Sequence, residues 1–366
     1  MPSTKPYISF DEDGVCGGCK AAIEKSNTAG GIDWADREAQ FNSLIEKVKA
    51  KKGKYYDAVV GVSGGKDSIS QVHRLLEPGL RILAVNVDYG IKTPIGIENL
   101  KCVPEMGANL ITYRPAQPLH KKLIRIGFEE YGDPDLVSHT LLHAYPLRVA
   151  LAFEIPLVWL GENSAFEYGG DEDIASKHFI TRDWFSKFAA VDGKDPRYVS
   201  KKYDIEYEKL IPYDFPDELE QQDYTQAVFM SHFFKWDSED HLAIAKKYGF
   251  VAPEGQREGT FRTYVGIDEM INRIHQYMKV LKFGYGRCSD HACEDIRAGR
   301  MTREEAIKIV KEIDLQPLSD EYVDAYCEYL DYTRERFFEI IEQSRNLDIW
   351  KKDSDGNWTI PGHLEG

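Results

Sequence analysis

Residues 57–68, DAVVGVSGGKDS, decide how the rest of the chain is read. Ala58–Val62 is an apolar run rich in β-branched residues, the composition of a buried strand. Ser63-Gly64-Gly65-Lys66-Asp67-Ser68 follows directly, and then Ile69, Val72, Leu75 and Leu76 recur at helical spacing. Strand, glycine turn and helix therefore succeed one another without slack. Two adjacent glycines let the backbone curl with its N–H groups turned inward, and a helix start adds the positive end of its dipole. Together they make an anion cradle, which the hydroxyls of Ser63 and Ser68 flank.

The loop departs from the Walker A pattern, which needs four residues between its first glycine and Gly-Lys and then a serine or threonine. Only three residues separate Gly61 from Gly65-Lys66, and Asp67 follows the lysine. SGGKDS instead resembles the PP-loop of the ATP pyrophosphatases, which split ATP between the α and β phosphates. The resemblance implies ATP as substrate, with Ser63, Gly64, Gly65, Lys66, Asp67 and Ser68 around its phosphates. Asp67 is a hard carboxylate suited to Mg²⁺, or a cap for the following helix.

Composition sets outer limits. The chain has 366 residues, 42% hydrophobic and 29% charged, which describes a folded protein with room for more than one domain. A net charge of −15 argues against a broad nucleic-acid surface. No apolar run approaches the roughly 20 residues that span a bilayer. The start, MPSTKPYISFDEDG, has neither the basic nor the apolar region of a signal peptide. A cytoplasmic location is expected, with the six cysteines as thiols or metal ligands and not structural disulfides.

Further strands are expected at Ile82–Val87, Asn109–Tyr113 and Ile155–Leu160, alternating with helices over 34–51, 94–106, 117–131 and 137–153. That alternation predicts an α/β fold, a parallel sheet wound on both faces, with ligands beyond the carboxyl ends of the strands. Three segments are expected: a cysteine-containing metal-binding segment at 1–30, the nucleotide-binding core at 31–165, and a substrate-binding, helical region at 166–366. Asp88 and Gly161-Glu162-Asn163 close the second and fourth strands, beside the glycine loop. Asp88 and Gly161 are candidates for binding ATP, Glu162 joins Asp67 and Lys66 as a candidate catalytic group, and Asn163 is a candidate substrate ligand. A turn or capping role is the alternative at these strand ends.

Cys16 and Cys19 have chelate spacing, and Cys288 and Cys293 form a second close pair. Four thiolates suit structural Zn²⁺, or an Fe–S cluster, and one shared ion would draw the chain's two ends together. Four buried thiols are the plainer reading. Arg262 and Arg287, among several arginines, are candidates for gripping an anionic substrate group through their planar forks. No cysteine has a nucleophile setting such as Gly-x-Cys-x-Gly, so glutamine hydrolysis is not expected of this chain.

In order along the chain, FDEDGVCGGC, VVGVSGGKDS, GENSAFEYGG, EGTFRTY and KFGYGRCSDHACEDIRAGRMTREEA resemble the N-acetyl sugar amidotransferases of surface-polysaccharide and nonulosonic-acid biosynthesis. The likeness runs from about Tyr7 to Lys311. It implies that ATP adenylates the oxygen of a sugar acetamido group and that ammonia displaces AMP to leave an acetamidino group. It also implies a separate class I glutaminase subunit as ammonia source, with a cyclase-like companion as conduit. Family members often carry another Cys-x-x-Cys just before the point where MPSTKP begins, so a zinc ribbon would be halved here. Two rival readings are a tRNA-thiolating PP-loop enzyme, disfavoured by the acidic charge, and a silent scaffold for a glutaminase, disfavoured by the intact loop.

Overall fold

Burial on both faces explains why the central strands are so uniformly apolar. The computed structural model describes residues 1–26, 31–169, 172–189 and 193–364. Its main sheet contains β1 (Ala58–Val62), β2 (Ile82–Val87), β3 (Asn109–Tyr113), β4 (Leu157–Leu160) and β5 (Gln226–Phe229). They lie in the order β3-β2-β1-β4-β5, and every neighbouring pair is parallel. Side chains alternate along β1. Ala58, Val60 and Val62 pack with Phe41, Leu44, Ile45 and Val48 of helix Trp34–Lys51. Val59 turns to the other face, toward Ala144 and Leu147 of helix Leu136–Ala152. Each fully buried valine, leucine or isoleucine side chain among them contributes about 1.5–3 kcal/mol to stability. The expected doubly wound α/β architecture is thus present.

Chain order fixes where a ligand can sit. From β1 the chain moves outward through β2 to β3, then returns across β1 to β4 and β5. The reversal lies between β1 and β4, and it opens a crevice at their carboxyl ends. Helix Lys66–Leu76 starts at the end of β1, and helix Ser164–Tyr168 starts just beyond β4.

The C-terminal helices close over this crevice. Helix Ile271–Phe283 and helices Asp320–Leu330 and Arg334–Gln343 share a core with Leu123, Ile124 and Phe128 of helix Gln117–Tyr131. Helix Arg287–Arg297 is fixed at its start by the buried carboxylate of Asp314. That group accepts from the Gly286 and Ser289 N–H groups at 2.7 and 3.2 Å and from the Ser289 hydroxyl at 2.7 Å.

Two expectations change in detail. β5 falls inside the region expected to be helical and substrate-binding, because Gln226–Phe229 is too short to show a period. The helix expected over 94–106 is two pieces, Pro94–Leu100 and Cys102–Glu105. Asp331, with a φ of 56°, ends helix Asp320–Leu330 before helix Arg334–Gln343 begins.

The metal-binding segment is the largest correction. Among the described residues no three His, Cys, Asp or Glu side chains are placed to hold a metal ion. Cys288 and Cys293 stand five residues apart on one helix, so they point about 140° apart around its axis. Cys288 is sealed against Ala292, Ala306 and Val310, whereas Cys293 turns toward Arg297. Cys16 precedes helix Gly17–Lys25 and lies 3.8 Å from the Arg297 guanidinium. Neither zinc nor an Fe–S cluster fits the four thiols, and residues 27–30 of the expected segment 1–30 lie outside the described residues.

Candidate functional site

Gly64 makes the glycine loop possible. Its φ is 98°, and a Cβ there would strike the carbonyl oxygen of Gly96; only glycine takes that conformation without strain. The loop is also braced from within. The Gly65 N–H donates to Ser63 Oγ at 3.3 Å, and the Ser68 hydroxyl donates to the Gly65 carbonyl at 2.8 Å. Lys92 Nζ lies 3.4 Å from the Ser63 carbonyl and 2.7 Å from Glu269. No side chain caps helix Lys66–Leu76, so its first N–H groups and dipole remain available to an anion.

Lys66 and Asp67 carry the loop into a cavity of about 1020 Å³ that Glu162, Arg262 and Arg287 also line. Lys66 is 4% exposed, and its ammonium bonds both Asp67 oxygens at 2.9 and 2.8 Å. His241 Nδ1 meets Asp67 Oδ1 at 2.7 Å. Burial alone would raise the Asp67 pKa, but the Lys66 charge and the His241 hydrogen bond hold it well below the usual carboxylate range. Glu162 is driven the other way: burial first, then the Asp67 charge, lifts it to about 7. Two carboxyls at the heads of adjacent strands thus hold different protonation states near neutral pH.

The charge balance of the cavity differs from that of the molecule. Among its described lining residues ten lysines and arginines face nine acids, although the chain carries −15 overall. Arg262 is buried and already bound to Glu294 and, at 2.8 Å, to Asp295. Arg287 forms no ion pair among the described residues, so its guanidinium is the stronger candidate for an incoming anion.

The N-terminal segment supplies another wall. Lys5, Gly18 and Lys25 line the cavity, and Lys25 is ion-paired with the buried Glu167. Gly17 and Gly18 let helix Gly17–Lys25 approach closely: a Cβ on Gly17 would lie 3.2 Å from Gly169, and one on Gly18 would lie 2.5 Å from Arg297.

The remaining sequence candidates are placed elsewhere. Ser63, Gly64, Gly65 and Ser68 shape the loop but do not line the cavity. Asp88 accepts from the Gly90 N–H at 2.8 Å and faces Arg114 at 3.6 Å, the turn role foreseen as its alternative. Gly161 lies under Trp236. Asn163 caps helix Ser164–Tyr168, accepts from Trp184 Nε1 at 3.1 Å, and donates to the carbonyls of Ile174, Ala175 and Lys177. Its amide is committed to holding this loop, and it lines a second, smaller cavity of about 420 Å³ instead. His241, His291 and the Lys25–Glu167 pair were not singled out from the sequence. A DHACED stretch in a helical setting was the available signal for His291.

The glycine loop at the switch point of this parallel sheet, with a lysine and an ionised aspartate lining a large cavity, is an arrangement suited to holding an anionic ligand. Residues 258–363, which bring Arg262, Arg287 and His291 to the cavity, match the family described as LPS biosynthesis protein WbpG-like, C-terminal domain. That match agrees, over this stretch, with the resemblance read from the motifs. Among solved structures the chain is similar to NMN synthetase from Francisella tularensis, at 10% identity and a TM-score of 0.36 over 85% of this chain and 96% of that one. It is also similar to the NH3-dependent NAD synthetase from Campylobacter jejuni subsp. jejuni NCTC 11168, at 13% identity and a TM-score of 0.32 over 82% and 94%. No curated protein matches the chain. No helix among the described residues is long and apolar enough to cross a membrane.

Proposed function

We propose that the protein is the synthetase subunit of an ATP-dependent sugar amidotransferase, converting an acetamido group to an acetamidino group for a surface polysaccharide. The observation that carries this reading is the shared cavity: Lys66 and Asp67 of the loop face Arg262 and Arg287 of the WbpG-like domain. A nucleotide held by the first pair and a sugar held by the second would meet there.

The chemistry follows from the leaving groups. An amide oxygen leaves poorly, whereas AMP leaves well. In the first step the acetamido oxygen attacks the α-phosphorus of ATP, the bond to the β,γ-pyrophosphate breaks, and the amide nitrogen gives up its proton. In the second, ammonia adds to the imidate carbon, AMP departs with the former acetamido oxygen, and proton loss leaves the neutral amidine. Glu162, poised near neutrality by burial and by Asp67, is suited to accept the amide or ammonium proton. Lys66 and the uncapped helix start stabilise the departing pyrophosphate.

Mg²⁺ fits this site. Asp67 stays ionised and its side chain is 38% open, and this ion is commonly held by one or two carboxylates together with substrate phosphates. When bound, the ion supplies charge neutralisation on the phosphates. Ammonia would come from a separate class I glutaminase, with a cyclase-like companion as conduit, and the complex would work in the cytoplasm. The test is nucleotide product by chromatography with an N-acetylated sugar and ammonium present. AMP and pyrophosphate, dependent on the sugar, support the reading; ADP and phosphate refute it.

A further inference from the structure

His291 lines the same cavity as Lys66 and Asp67, and the steps proposed for the reaction leave it without a task. It is 5% exposed, on helix Arg287–Arg297, one turn beyond Arg287. Its Nδ1 lies 2.6 Å from the hydroxyl oxygen of Thr260, itself buried at 3% exposure. Which of the two atoms holds the proton follows from hydrogen-bond accounting. Thr260 Oγ1 already accepts the backbone N–H of Arg262 at 3.1 Å. Were Nδ1 protonated, the threonine oxygen would accept twice and its own proton would have no acceptor. With Nδ1 bare, the hydroxyl donates to it and every group in the set is satisfied. The imidazole proton then resides on Nε2.

Nε2 has no partner among the described residues and is not among the buried orphaned atoms, so it opens on the cavity. Charge reinforces the geometry. Burial first, then the neighbouring Arg287, Arg262, Lys66 and Lys279 charges, push the His291 pKa well below the ordinary range, so the ring is neutral.

Resting on the proposed function, we propose that His291 is a further catalytic residue, a neutral N–H donor fixed in its Nε2–H tautomer by Thr260 and aimed at the oxygen that gains charge during adenylation. A neutral donor of this kind stabilises an oxyanion without tying up the adjacent cations in repulsion, and its proton is held in place before the reaction begins.

The experiment has a spectroscopic arm and a kinetic arm. In 15N-labelled wild-type protein at pH 7, assigned by difference against His291→Gln, the long-range 1H–15N spectrum should show a protonated Nε2 and a bare Nδ1. Thr260→Val should release that preference, and Thr260→Ser should keep it. In sugar-dependent pyrophosphate release, His291→Ala should lose about 10²–10³-fold in kcat, His291→Gln should recover part of the loss, and Thr260→Ser should remain near wild type. A protonated Nδ1, a doubly protonated ring, or His291→Ala turning over at the wild-type rate would each overturn the inference. Should the wild-type protein release no pyrophosphate at all, the proposed function fails instead. The Nε2 resonance then decides the inference: a shift on adding ATP supports a donor to bound ligand, and no shift removes it.

Discussion

His241 Nδ1 lies 2.7 Å from Asp67 Oδ1, across 174 residues of chain. Helix Ser238–Lys246 thus reaches back to the start of the helix that follows the glycine loop. The aspartate has two supports, Lys66 from its own loop and His241 from outside it. Replacing His241 with alanine removes the second, so the Asp67 pKa should rise and its ionised form be less well held. We expect kcat/KM for ATP to fall about 10–100-fold, with His241→Asn recovering part of it. Steady-state kinetics, with circular dichroism to confirm the fold, is the check.

Glu162 gives a pH dependence with a definite sign. Its folded pKa of about 7 lies above the unfolded value, so the native state holds an extra proton across that interval. Stability from this group is complete at low pH and is lost as pH rises through about 7, while proton-accepting capacity grows over the same range. Glu162→Gln should therefore lose the rising limb of the rate profile. At pH 8 it should also be more stable than wild type, by about 1–3 kcal/mol, and the difference should close by about pH 5. Urea unfolding at both pH values measures this.

At Gly64 the constraint is steric. With φ at 98° and the Gly96 carbonyl in the place of a Cβ, Gly64→Ala must strain the loop or push helix Pro94–Leu100 away. A loss of about 1–3 kcal/mol in stability is expected, together with loss of ATP binding by calorimetry. Gly79→Ala is the control, since φ there is also positive, at 82°, with nothing near the added methyl; it should keep ATP affinity.

The Lys25–Glu167 pair couples the N-terminal wall to the loop after β4. Its side chains are 16% and 4% exposed, and Glu167 Oε1 has no partner of its own. Lys25→Met strands a buried carboxylate and should cost about 3 kcal/mol. Lys25→Met with Glu167→Gln should recover most of that loss. A double-mutant cycle by chemical unfolding reads the coupling.

How much of this was legible in the sequence depends on the range of the contacts. β1, β2 and β3 occupy the residues their apolar runs predicted, and helix Trp34–Lys51 does too, because period and burial are local signals. The ends of β1 and β4 were recognisable as a site because topology alone puts them side by side. Asp88 and Asn163 share that address, yet their side chains close turns. Strand-end position does not reveal which way a side chain faces. Spacing alone does not reveal that Cys288 and Cys293 share one helix and point apart around its axis. His241 and His291 meet hydrogen-bond partners 174 and 31 residues away, and no local pattern announces such pairings.

In the proposed reaction the acetamido oxygen becomes bonded to the α-phosphorus of ATP. A sugar labelled with 18O in its acetamido group tests it most directly, with ammonium as nitrogen donor and mass spectrometry of every product. The label should leave the sugar and appear in the phosphate of AMP, one atom for each amidine formed. Label found in inorganic phosphate beside ADP, or product formed with AMP unlabelled, would contradict it.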